Sequence, residues 1–312
     1  MRKAKQRQQH QKQQKQWQRR YTPKGQALGS TPPTPQLIQK PLVLEVRHVR
    51  ELAGTVMKLA RAQKHMTELK EEILAFFASK PFSVVREVEA ATGDIVHKVR
   101  IKQEVPTEFA AIIGDVIHNL RTALDYLAWQ MVVVNGGIPS RDTGFPITKD
   151  AASFQTDLGK KLKGASPKAL RFVQRLRPYQ GGDDVLWMLH SLDITDKHKL
   201  ILSVGAANRA VGFKPTTRGS WPKWMLEMME TTLTLRGDTF PLEGNTVLSR
   251  HYHSEVQDEE DEESVTWEAT RWVFEVFFSA DQYPAGVPVY DTLEGQVQRV
   301  TRIIELVDRF IL

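Results

Sequence analysis

The chain has 312 residues, 41% of them apolar, and a formal net charge of +6 at neutral pH. That is enough apolar material for one large domain or two small ones. It contains no cysteine, which excludes disulfides, thiolate metal sites and a cysteine nucleophile and fits a cytoplasmic protein. No run of about 18 apolar residues occurs, so neither a transmembrane helix nor a membrane partner is expected.

The first 40 residues stand apart. No acid precedes Glu45, whereas Arg2, Lys3, Lys5, Arg7, Lys12, Lys15, Arg19, Arg20, Lys24 and Lys40 are basic. These ten carry the positive balance, because the other 33 basic residues face 37 acidic ones, a net of −4. The segment is Gln-rich over 6–18 and Pro/Thr-rich over 31–35, and it lacks the apolar stretch of a secretory signal. Such composition buries no core and predicts a disordered tail. A mobile polycation binds nucleic-acid phosphates non-specifically, with Trp17 as one stacking group. The alternative is a solvated tail or a misplaced translation start. Residues 41–312 are expected to form a single domain.

In that domain, Glu45 to Ala78 reads as a long amphipathic helix, with Leu52, Val56, Leu59, Ala60, Met66, Leu69, Ile73 and Phe77 roughly in phase. Ser79-Lys80-Pro81 ends it. Phe82–Ala90 and Ile95–Lys102 alternate as strands around Thr92-Gly93-Asp94, a hairpin. Thr107 to Val134 is again helical: Phe109, Ile113, Val116, Ile117, Leu120, Leu124, Leu127 and Met131 form one stripe. Gly136-Gly137-Ile138-Pro139 stops this helix, and a loop leads to Phe145-Pro146-Ile147. A short helix is expected over Pro167–Leu176 and a central one over Asp183–Leu202, where either Asp183 or Asp184 caps. Strands follow at Leu200–Ala206, Thr246–His253 and Val265–Phe278, with the acidic run 258–263 as a hairpin loop. A helix from about Leu293 to Leu312 closes the chain. The order lacks strict βαβ alternation and predicts an α+β fold, a helical bundle beside an antiparallel sheet.

Two polar clusters interrupt the apolar helices. His118, Arg121 and Asp125 fall within about 60° of one another, opposite the stripe of their helix. On the central helix, His190, Asp193 and Lys197 share a face; Asp196 borders it and His198 points elsewhere. Charged groups in apolar helices require partners, so the two clusters are expected to meet. Gly114 interrupts the first helix at a cost of about 1 kcal/mol relative to Ala, which a close helix contact would explain.

The pair HNLRTALDYLAW and LHSLDITDKHKL, from about Glu108 to Val204 and including Phe145-Pro146-Ile147, resembles a family of uncharacterised bacterial proteins. Arg121 with a reactive group five residues on also resembles the catalytic motif of HEPN-domain ribonucleases, which implies a helical, RNA-directed protein. Tyr126 stands where that motif has its histidine, and Thr122 replaces its larger polar residue. A tyrosine, with an unperturbed pKa of about 10, is not a neutral-pH acid/base.

Three classes of function follow. One is a nucleic-acid-associated, degenerate HEPN-like protein. Another is a hydrolase in which His118 transfers protons, Arg121 holds an anionic group, Asp193 and Asp196 orient the histidine or hold a metal, and Tyr126 positions substrate. The third is a binding or structural module whose network only fixes the fold. No P-loop, GxGxxG, GxSxG or HExxH occurs, so no cofactor is expected. A divalent metal is the one exception considered. Its ligands would be Asp115, His118, His190 and Asp193, two Asp/His pairs on facing helices without the glutamates of di-iron bundles. His251 and His253, alternating on a strand, are a weaker metal pair.

Overall fold

A computed structural model describes residues 44–198, 204–210, 213–217, 235–236, 242–251, 265–269, 272–279 and 283–312. The chain divides into two units, Met1–Lys40 and Pro41–Leu312. The first, with the tail expected there, lies outside the described residues, as do the acidic run 258–263 and His253.

The second unit is α+β. Its elements in order are α1 (Val49–Ala78), the hairpin β1 (Phe82–Val88) and β2 (Ile95–Ile101), α2 (Glu108–Val133), α3 (Ala151–Lys161), α4 (Pro167–Leu176), α5 (Asp184–His198), β3 (Val204–Ala210), β4 (Phe213–Thr217), β5 (Leu235–Arg236), β6 (Val247–His251), β7 (Val265–Ala269), β8 (Trp272–Phe278) and α6 (Val289–Phe310). Helix α2 packs on α1, α5 and α6, and it is the centre of the bundle. All eight residues of its expected stripe are buried. The strands form small antiparallel sheets in the orders β1-β2-β6 and β5-β3-β8, with β4 and β7 paired separately. Phe76 of α1 stacks edge-on against Phe82 and Phe109, and Phe82 meets Phe274 of β8 at 5.0 Å, joining bundle to sheet.

The structure departs from the expected elements in several places: α1 begins at Val49, not Glu45, and β4 and β5 are additional strands. The segment 265–278 is two strands, because β7 pairs with β4 while β8 pairs with β3. Helix α3 was not expected, although Asp150 caps it by accepting from Ser153 N at 2.8 Å and Phe154 and Leu158 bury one side. Helix α6 begins four residues before Leu293. Of the two candidate caps for α5, Asp183 is the one used. Its Oδ1 accepts from Leu186 N and its Oδ2 from Arg299 of α6, at 2.8 Å from Nε. Among the described residues no helix is long and apolar enough to cross a membrane.

The start of α1 has no cap of its own; Asp308 of α6 supplies one. Its carboxylate accepts from Arg47 N and His48 N at 2.9–3.0 Å and lies 3.0 Å from His48 Nδ1. Burial acts to raise the Asp308 pKa, but the hydrogen bonds from Arg47 and His48 outweigh it and hold the carboxyl below its ordinary value. A depressed acid stabilises the fold above the carboxylate range, and that contribution is lost as pH falls through the lowered pKa. Asp308→Ala is therefore expected to lower stability near neutral pH by about 2 kcal/mol. The deficit should shrink on acidification, as read by urea melts across the acid range.

Candidate functional site

Arg121 is buried although it lies off the apolar stripe of α2. Its Nη1 donates to Asp125 Oδ1 at 2.7 Å, one helical turn on, and its Nη2 donates to the carbonyl of Phe145 at 2.9 Å. The same Asp125 oxygen accepts from Phe145 N at 2.9 Å. Both backbone groups of Phe145 are thus held by the Arg121–Asp125 pair, and its ring is fully buried. Residue 144 must be small here, since a Cβ on Gly144 would lie 2.9 Å from Asp125 Oδ1. The pair staples the loop after α2 back onto the helix. A guanidinium so committed presents no free fork to a substrate anion. Thr122 donates to His118 O at 2.8 Å and is likewise occupied within the helix.

The two polar clusters face each other across α2 and α5. His118, half-exposed, places Nδ1 at 3.6 Å from Oδ1 of the buried Asp193. Lys197 Nζ donates to the other Asp193 oxygen at 2.7 Å. Asp196 reaches the α2 backbone at Gly114, where a Cβ would stand 2.7 Å from its Oδ1. Burial, then the like charge of Asp193, raises the Asp196 pKa. Its ionised form therefore costs stability, a cost absent below the carboxylate range and incurred as pH rises through the raised pKa. Such groups are enriched at functional sites. His190 is driven down to about 4, first by burial and then by the charge of Arg121, so it is neutral at physiological pH. His198 is exposed at the end of α5, and among the described residues no hydrogen bond or ion pair ties it to the cluster.

The four candidate metal ligands do not converge. Lys197 occupies one oxygen of Asp193, and Asp115 turns toward His65, 3.9 Å from its Nε2. Among the described residues no group of three or more His, Asp or Glu is arranged to hold an ion. The pair His251/His253 is not described as a whole.

A cavity of about 650 Å³ opens on the solvent side of His118, in the seam between α1 and α2. Besides His118, Asp115 and Asn119 of α2, it is lined by Lys58, Arg61, Lys64 and His65 of α1. Lys58 Nζ donates to Asn119 Oδ1 at 3.4 Å, and Asn119 Nδ2 donates to Asp115 O at 2.7 Å, fixing the floor. His65 is buried and lies 3.0 Å from Glu68 Oε2 through Nδ1. The three α1 cations escaped the sequence reading. Their signal is the spacing Lys58, Arg61, Lys64 at i, i+3 and i+6, a row on one face of a helix. Chemically the groove offers cations and imidazoles to an anion, with a His–Asp pair at its edge. No protein-family model, no curated protein and no solved structure shows a significant match to this chain.

Proposed function

We propose that this chain is a nucleic-acid-associated protein that holds backbone phosphates in the groove between α1 and α2. The observation that carries this reading is the lining of that groove: Lys58, Arg61, Lys64 and two histidines against a single carboxylate, Asp115. Clustered cations along a helix are the electrostatic footprint of phosphate binding. The reading fits a degenerate HEPN-like protein in which Arg121 has become a structural staple and Tyr126 takes no acid/base part. The basic residues 1–40 add non-specific affinity. A second reading, hydrolysis with His118 as the proton-transfer group, is favoured by its position 3.6 Å from Asp193 at the cavity edge.

The test compares the 312-residue chain, its Lys58→Gln/Arg61→Gln/Lys64→Gln variant and a chain starting at Pro41, each titrated with labelled single-stranded RNA and DNA over a range of salt. Loss of three phosphate contacts should reduce the slope of log affinity against log salt by about 2, at about 0.7 per single-strand contact. If the triple variant keeps the parental slope while the chain starting at Pro41 binds nothing, residues 1–40 are the sole binding element and the groove assignment fails. His118→Ala should weaken binding less than the triple variant does; if the parent turns over a phosphodiester, this variant should not.

A further inference from the structure

A second cleft, of about 500 Å³, lies farther along the same seam, between the first turns of α1 and the last turns of α2. Its character is opposite to that of the basic groove. Two aromatic side chains, Tyr126 and Trp129, are 42% and 44% exposed there, although both belong to the central helix. Two carboxylates, Glu51 and Asp125, share the lining, and no Lys, Arg or His does. We propose that this cleft binds a primary ammonium group, that of a free amine or of a lysine side chain.

Three features beyond the acids support the assignment. The first is that the aromatic wall is held in place. A Cβ on Gly54 would lie 2.7 Å from Tyr126 Cδ2 and 3.1 Å from Cε2, so the ring rests against the α1 backbone where only glycine leaves room. Exposed aromatic faces over a rigid backing attract cations through the ring quadrupole. The second is the chemistry of Asp125. Its bonds to Arg121 and Phe145 both fall on Oδ1, and the residue still lines the cleft. That division leaves Oδ2 as an acceptor for a ligand. The third is Thr55, also in the lining, which is 1% exposed with an Oγ1 that has no hydrogen-bond partner. A buried hydroxyl left unpaired is costly, and a polar ligand in the cleft would relieve that cost. The volume suits a small molecule. Acceptors and π faces without a lining cation select against anions, so the basic groove and this cleft take ligands of opposite sign.

The experiment is calorimetric titration of the 312-residue chain in amine-free buffer with n-butylammonium, N-acetyl-lysine methylamide and the neutral analogue n-butanol. Both ammonium compounds are expected to bind saturably, and n-butanol is not. Tighter binding of the lysine compound assigns the ammonium to a lysine of a partner protein; tighter binding of butylammonium assigns it to a free amine. Either supports the proposal. Glu51→Gln is expected to weaken binding at least tenfold, and Trp129→Leu to a similar extent. Trp129→Phe, which keeps a ring, should weaken it less. The Lys58→Gln/Arg61→Gln/Lys64→Gln variant should bind as the parent does. Equal binding of n-butanol and butylammonium would overturn the proposal. So would a Glu51→Gln variant, melting as the parent does, whose dissociation constant stays within twofold.

Discussion

Arg121→Ala is expected to lower stability by about 3 kcal/mol, because it removes one partner of a largely buried ion pair. The range for such losses is about 3–5 kcal/mol, and the low end applies because the Asp125 side chain is 40% exposed and water can take over part of the guanidinium's role. The Phe145 carbonyl, left without its donor in a buried setting, adds to the cost. The damage should be local as well as global. Amides of the loop preceding Phe145 should exchange faster in the variant than in the parent, while those of α1 change little under native conditions. Urea melts and hydrogen exchange read the two effects. A variant that melts with the parent but loses phosphate binding would make Arg121 a ligand-binding residue and remove the staple.

Gly114→Val carries the second large effect. Glycine inside α2 costs the helix about 1 kcal/mol, yet it is the point where the Asp196 carboxylate approaches the backbone. A branched side chain there would collide with all three carboxylate atoms, which lie within 2.7–3.0 Å of a Cβ. Overpacking of this kind costs about 1–3 kcal/mol, and the upper part is expected because Asp196 is a short side chain of a packed helix. The cost should be specific to that contact. In an Asp196→Ala background the same Gly114→Val change should be close to neutral, and the double-mutant cycle should show a coupling of about 1 kcal/mol or more. Additive effects would mean that Gly114 serves some other contact.

Gly114 also marks how far sequence reading carries. A glycine in a strong helical pattern signalled a close approach, and the requirement that buried charges find partners signalled that the Asp193 and Asp196 cluster would meet the His118 cluster. Both inferences rest on local rules applied to α2 and α5. The partner of Arg121 was half legible: Asp125 sits one turn away on the same helix, but Phe145 arrives through a loop whose path no local pattern encodes. The basic face of α1 was invisible for a different reason. Lys58, Arg61 and Lys64 on an amphipathic helix look like any solvated face; they become a groove only because α1 packs alongside α2. The segment 265–278 reads as one run because it is rich in β-branched and aromatic residues throughout, but its alternation changes phase at Thr270-Arg271, and pairing with two different partners, β4 and β3, divides it. Helix α3 is short and its two buried side chains, Phe154 and Leu158, give too brief a period to register.

The proposed function places phosphate binding in the α1–α2 groove and makes the Arg121 cluster a staple. Hydrogen exchange by mass spectrometry on the 312-residue chain, with and without a bound single-stranded oligonucleotide, tests it most directly. Protection is predicted for peptides covering 57–65 and 115–119, with the Phe145 loop unchanged. Protection at Asp125 and the Phe145 loop without any at 57–65, or none anywhere beyond residue 40, would contradict it.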